Sequence, residues 1–329
     1  MNLFCCVIFS CNSILLNLIT VEVSRFVMHD NSLGEIIRSL RKKAHLSQED
    51  LADGICSAVS ISRIENGTQM PSGTVLEALL GRLGTSTYQL CDIYYRSEKQ
   101  LAFEQESETV SRAVAEGNIE EAKKGLIRLE ESAGTDALNL QCFLMLDASV
   151  KLAEGDDPEK ILRILYQSLA QTKPSFNFED FRNDLLSARE ANILNIIVAV
   201  LYHSGEAPRA IRLGEELITS LNRHKSGLKE YQIIKINLAF NLAQCLEKEH
   251  RYKEAFTYIQ MAEELSLGSF EQALLPEIEF GKAKLYHLLG DDRECTAILK
   301  AIVPYMELVR KTEFAGIVRS YAEKELGIT

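Results

Sequence analysis

Apolar residues recur along most of this chain at intervals of three and four, the spacing that lines them up on one face of an α-helix. No run alternates with the period of two that a half-buried strand needs, so the pattern predicts an all-α protein. Polar punctuation marks the helix boundaries. Ser32 with Glu35 three residues on forms a capping box ahead of Ile36, Ile37 and Leu40. Ser47 with Asp50 opens a second helix through Leu51 and Ala52. Ser57 caps a third that runs to Asn66, and Gly67 stops it. On that third helix Ile61 and Ile64 face inward, while Val59 either joins them in the core or stands outside. Pro71-Ser72 opens a fourth helix striped by Val75, Leu76, Leu79, Leu80 and Leu83. Four or five short helices with a tight turn between the second and third predict a helix-turn-helix domain over residues 30–84.

The pattern then lengthens. A linker helix over residues 85–103 carries Tyr88, Leu90, Ile93, Tyr94 and Tyr95, too apolar for a solvated connector. It is expected to pack between domains or across a dimer. Over residues 104–329 a helix, turn, helix unit recurs. Its turns are expected at Gly117-Asn118, Gly155-Asp156, Gly205-Glu206, His250-Arg251 and Gly290-Asp291. Seven residues before each turn stands Val110, Ala148, Val198, Ala243 or Ala283; five after it stands Ala122, Ala210, Ala255 or Cys295. Small residues there let paired helices approach closely. Lys160 breaks the rule, so the second repeat reads as degenerate. About five pairs and a terminal helix from Glu313 to Leu326 predict a right-handed α-solenoid, with a concave groove lined by the first helix of each pair.

Charge adds a constraint. With a net charge of −11 the chain is no general polyanion binder. Arg38, Arg41, Lys42 and Lys43 concentrate positive charge in the first helix, yet residues 30–83 hold six basic against seven acidic residues. Binding to DNA is therefore expected to depend on dimerisation and geometry. Cysteines 56, 91, 142, 245 and 295 fall singly and read as small hydrophobes. Cys5, Cys6 and Cys11 cluster without a histidine, one ligand short of a zinc site. Free thiols suit a reducing cytoplasm. The 6 His show no metal spacing, and neither a phosphate loop nor a nucleophile elbow is present, so neither an enzyme nor a cofactor is expected.

Residues 1–29 stand apart. Leu3 to Val21 carries no charge and is about long enough for a membrane span, but lacks a signal peptide's positive region and cleavage site. Three readings stay open: an upstream extension with Met28 as the start, a membrane anchor, and a helix packed on the body.

Leu40-Arg41-Lys42-Lys43, Leu46-Ser47-Gln48-Glu49-Asp50-Leu51-Ala52, Ile61-Ser62-Arg63-Ile64-Glu65-Asn66-Gly67 and Pro71-Ser72 together resemble the Cro/repressor (XRE) family. The stretch from Gln48 to Gly67 is one residue shorter than in the phage repressors. With Gly54-Ile55-Cys56 at the turn, it is more similar to the PlcR branch of the peptide-sensing Rap, Rgg, NprR, PlcR and PrgX regulators. The resemblance implies that the third helix lies in the major groove of an operator, with Ser57, Ala58, Val59 and Ser60 at base edges. Arg63, one turn on, would meet a guanine or a phosphate, and Gln48 with the amides opening the second helix would meet a phosphate. It also implies a structural ion pair between Arg41 and Glu65.

In the repeats, Asn192 and Asn195 lie three apart on one helix, and Asn237 and Asn241 four apart on the next. A carboxamide offers donors and an acceptor that match a peptide unit. The surrounding segments Glu190-Ala191-Asn192-Ile193-Leu194-Asn195 and Phe240-Asn241-Leu242-Ala243 resemble the peptide-binding repeats of the same group. This implies that Asn195 and Asn241 grip a ligand backbone, with Asn192 and Asn237 as weaker additions. The alternative is that all four are ordinary polar residues on exposed helices. Gln244, Glu247, Tyr202 and Lys284 are candidates for setting side-chain preference. The implied protein is a cytoplasmic, homodimeric transcription regulator of the quorum-sensing type, switched by a short signalling peptide. The rivals are an XRE regulator whose repeats scaffold a folded partner, and a Rap-like response-regulator antagonist.

Overall fold

A computed structural model of the chain describes residues 33–84, 98–223, 229–269 and 272–328. Among these it contains fifteen α-helices and no strand. The apolar N-terminal segment, the Ser32 cap and the linker positions from Tyr88 to Tyr95 lie outside the described residues. Two compact units form, one ending at Glu104 and the other beginning at Gln105.

The first unit contains α1 (Leu33–Lys43), α2 (Gln48–Ala52), α3 (Ala58–Glu65) and α4 (Gly73–Arg82). Three serines set its helix starts. Ser47 Oγ accepts from the Asp50 amide at 3.0 Å, and the Asp50 carboxylate accepts from the Ser47 amide at 2.8 Å, completing the expected capping box. Ser57 Oγ accepts from the Ser60 amide at 3.1 Å, and Ser72 Oγ from the Val75 amide at 3.4 Å. These caps satisfy amides that have no partner inside their own helices. Ile37, Leu51, Ala52, Ile61, Ile64 and Leu79 form the core, with Ile36 and Leu80 beside it. The Arg82 guanidinium donates to the carbonyl oxygens of Asp50, Leu51 and Asp53, closing the C-terminal end of α2.

The second unit contains five helix pairs. They are α5 (Glu98–Ala115) with α6 (Ile119–Ala133), α7 (Ala137–Glu154) with α8 (Pro158–Ala170), and α9 (Ala188–His203) with α10 (Ala207–Arg223). Then come α11 (Lys229–Lys248) with α12 (Tyr252–Ser269), and α13 (Leu275–Leu288) with α14 (Asp292–Leu308), followed by α15 (Thr312–Leu326). Helix α5 starts at Glu98, within the residues expected to be linker, and runs unbroken past Glu104 into the second unit.

One turn geometry closes every pair. A residue with φ between 58° and 88° (Gly117, Gly155, Gly205, His250 or Gly290) reverses the backbone. The amide of the next residue donates five residues back: Asn118 to Ala113, Asp156 to Lys151, Glu206 to Leu201, Arg251 to Leu246 and Asp291 to Tyr286, at 2.8 to 3.0 Å. This is the Schellman closure, which needs the left-handed conformation that glycine adopts without strain. The small residues counted from these turns are all buried. Lys160, however, is exposed and does not mark a degenerate repeat. The turn before α8 holds one extra residue, so α8 starts at Pro158, and buried Ile161 takes the position that Ala122 and Ala210 fill elsewhere.

Helix α9 is buried all round from Glu190 to Leu201, as a helix in the middle of a stack must be. The connection from α8 to α9, residues 171–187, is far longer than the 134–136 and 309–311 connections. Aromatic contacts hold it: Phe176 meets Phe178 at 4.9 Å and Phe181 at 5.0 Å, and Phe178 meets Tyr166 at 5.0 Å between ring centroids.

Gly34 sets how closely α1 crosses α3. A Cβ there would press into the Ile64 carbonyl oxygen and stand 2.8 Å from that of Glu65, both backbone atoms that cannot turn aside. Gly34→Ala is expected to cost the first unit about 2–3 kcal/mol through overpacking. Amide exchange in α1 and α3 should rise by more than about tenfold, while that of α9 and α11 stays unchanged.

Candidate functional site

Glu65 ends α3 with its side chain fully buried, and two other helices converge on it. Arg41 of α1 donates from Nε at 2.6 Å and from Nη2 at 2.9 Å, forming the expected ion pair in bidentate form. Gln48 of α2 donates from Nε2 at 2.8 Å, and Arg38 of α1 reaches the same carboxylate at 3.4 Å. Arg38 also bonds Asn66, and Arg41 bonds the Leu46 carbonyl oxygen at 2.9 Å. Burial pushes the Glu65 carboxyl up, but the hydrogen bonds from Arg41 and Gln48 and the Arg41 charge outweigh it, holding the carboxyl below its ordinary range. The Gln48 side chain, expected at a phosphate, is turned to Glu65 in this structure.

The α3 surface is laid out by this anchor. Ile61 and Ile64 face the core, and Val59 is 60% exposed, which decides between the two positions open to it. Arg63 is exposed one turn on. Ser57 and Ser60 join hydroxyls at 2.9 Å while Ser57 caps the helix, so both combine a structural bond with a position at the helix mouth. Ala58 is half-buried against the core, which limits what its methyl can reach. Met70, beyond the Gly67 stop, is 80% exposed and was not singled out by the sequence pattern, because no periodicity marks a loop residue.

In the second unit the four asparagines sit on neighbouring first helices and are buried, Asn192 and Asn195 at 4% exposure, Asn237 at 1% and Asn241 at 2%. They are not ordinary polar residues on exposed helices. Asn241 Nδ2 of α11 donates to Asn195 Oδ1 of α9 at 3.0 Å, and the Asn241 oxygen, also buried, has no hydrogen-bond partner. Asn237 Nδ2 donates to the Ile233 carbonyl oxygen at 2.8 Å, and Asn192 Nδ2 lies 3.6 Å from Met145 Sδ of α7. Counting back thirteen residues from the last three turns gives Asn192, Asn237 and then Glu277, which its acidic side chain set apart from the asparagine pattern. Glu277 is buried on α13 and bonds Lys311 Nζ at 2.6 Å. Of the four candidates for side-chain preference, Glu247 pairs with Lys284 across α11 and α13 at 2.7 Å. Lys248 lies 4.7 Å above the Tyr202 ring, and burial with the nearby Glu247 charge pushes the Tyr202 hydroxyl up to about 12. Gln244 is half-buried on the same helix.

The sequence of residues 37–90 matches the helix-turn-helix family model HTH_3. The N-terminal unit is a helix-turn-helix domain. Three solved structures share the fold over almost the whole chain. PlcR of Bacillus thuringiensis, solved with the peptide PapR7 and DNA, is 17% identical, with a TM-score of 0.71, 88% of this chain and 99% of PlcR covered. ComR of S. thermophilus, solved with DNA and its signalling peptide ComS, is 17% identical, with a TM-score of 0.60 and coverage of 90% and 100%. The SHP pheromone receptor Rgg2 of Streptococcus dysgalactiae is 18% identical, with a TM-score of 0.55 and coverage of 89% and 99%. No curated protein matches the chain in sequence. No helix among the described residues is long and apolar enough to cross a membrane.

Folding lowers the pKa of Glu65. The stabilisation from its network is therefore complete above the unfolded value of about 4.3 and is lost as the pH falls through the lower folded value. Acid titration followed by amide exchange should open the helix-turn-helix unit in that window. Glu65→Gln leaves Arg41 and Arg38 without their carboxylate and is expected to destabilise the unit by about 2–3 kcal/mol at neutral pH, removing the acid step.

Proposed function

We propose that the protein is a cytoplasmic transcription regulator whose helix-turn-helix domain reads an operator and whose repeat domain takes a short signalling peptide. The observation that carries this reading is the split character of the two units. One turns Val59 and Arg63 outward from a helix pinned by a four-residue network around buried Glu65, and the other holds carboxamides from α9 and α11 in direct contact. Helix α3 enters the major groove with Ser57, Ala58, Val59 and Ser60 toward base edges, and Arg63 meets a guanine or a phosphate. The near-neutral charge of the domain makes a lone copy a weak binder, so the working species is a homodimer on paired half-sites.

The peptide lies along the first helices, where Asn195 and Asn241 exchange their mutual hydrogen bond for bonds to its backbone, with Asn192 and Asn237 flanking. Glu247 with Lys284, Tyr202 and Gln244 meet its side chains. Peptide binding then shifts the population of repeat-domain conformations and respaces the two reading heads, for which coupling of roughly 1–3 kcal/mol is enough. The same fold in PlcR solved with PapR7 and DNA and in ComR solved with ComS and DNA supports the assignment.

Two measurements test it. Arg63→Ala is expected to weaken operator binding by about ten- to hundredfold with the fold intact. Asn195→Ala combined with Asn241→Ala should lower affinity for the cognate peptide at least about tenfold and abolish the operator response. The probes are synthetic peptides from short secreted reading frames beside the gene. A double variant that binds and switches like the parent removes the groove from the mechanism, and a folded protein recovered in its place favours the scaffold reading.

A further inference from the structure

The long connection between α8 and α9 helps to build a cavity that the four asparagines do not line. Its volume is about 300 Å³, and it lies between that connection, α8, α9 and α10. Phe178 and Tyr166 form an aromatic wall, and Leu213 contributes to an apolar floor. Glu216 and Arg212 line it from one face of α10, four residues apart. A pair at this spacing ordinarily closes on itself, but here Glu216 Oε1 is drawn to Arg182 of the inserted connection at 2.8 Å. Glu179 and Glu215 also line the cavity without an ion pair among the described residues, but two complementary groups on α10 stand four residues apart. Glu216 Oε2 is buried with no hydrogen-bond partner, and among the described residues no carboxylate pairs with Arg212. The first calls for a charged donor and the second for an anionic acceptor, side by side above an apolar and aromatic surface.

We propose that this cavity binds a free apolar α-amino acid, its ammonium on Glu216, its carboxylate on Arg212 and its side chain against Leu213 and Phe178. A zwitterion satisfies both leftover groups without changing the net charge of the site, which a simple cation or anion does not. The cavity lies at the lower end of the size range of small-molecule pockets, about 300–1,000 Å³, and suits a ligand of single-residue size. A site built by the connection that sets this repeat apart gives the repeat domain a second input, separate from the peptide groove.

Calorimetry on the full chain tests this with L-leucine and L-phenylalanine against leucinamide, N-acetyl-leucine and glycine. The two amino acids are expected to bind with a Kd of about 1 mM or tighter. Leucinamide, N-acetyl-leucine and glycine, which lack the carboxylate, the ammonium and the side chain respectively, should each bind at least about tenfold more weakly. Arg212→Gln changes an exposed helix position and should keep the circular dichroism of the parent while losing at least about tenfold in leucine affinity. Glu216→Gln should do the same to the preference for leucine over N-acetyl-leucine. Absence of heat from both amino acids up to about 10 mM, equal binding of free and blocked forms, or parental leucine affinity in Arg212→Gln overturns the proposal.

Discussion

A left-handed residue between two helices, with the following amide bonded five residues back, is the constraint on which the repeat unit is built. It fixes the angle at which each second helix returns against the first. The return then leaves a buried contact where the two helices touch near the turn, filled by alanine, valine or cysteine except at Ile161 of the second pair. When the turn before α8 gains one residue, the buried position moves with it from Lys160 to Ile161. Hydrophobic contact follows turn geometry, and the register of the first helices follows in turn, including the register that sets Asn195 opposite Asn241.

The helix-turn-helix domain solves a different problem with a polar hub. Glu65 is expensive to bury alone, and it is buried because Arg41, Arg38 and Gln48 surround it. One carboxylate thus ties α1, α2 and α3 into a fixed arrangement. The outward side chains Val59 and Arg63 need no internal partners of their own and stay available to another molecule. The close crossing at Gly34, against the Ile64 and Glu65 backbone, and the Arg82 closure of α2 reinforce the same rigidity.

Local features of this fold were readable in the chain because local rules produce them. Ser47, Ser57 and Ser72 cap where a short side-chain acceptor precedes an apolar stripe, and Gly117, Gly155, Gly205 and Gly290 turn where only glycine bends freely. His250 was legible as a turn only through its register, since it adopts the same φ without being glycine. What failed to show was long-range. Spacing along a helix cannot reveal that Gln48 is drawn to Glu65, or that the four asparagines are buried against neighbouring first helices. The candidate site was legible as residue types in register, and its closed state was not. The ordered Phe176, Phe178 and Phe181 cluster likewise reads as an aperiodic loop until its rings meet.

The bond between Asn195 and Asn241 bears on how any occupant of that layer is received. One donor of Asn241 and the oxygen of Asn195 are already spent on one another, so under the proposed function an incoming chain exchanges that bond, while the unpartnered Asn241 oxygen offers it a new one. Affinity is further reduced by the fraction of molecules in which the pair stands open. Under the proposed function, this internal bond raises the ligand concentration at which the layer fills.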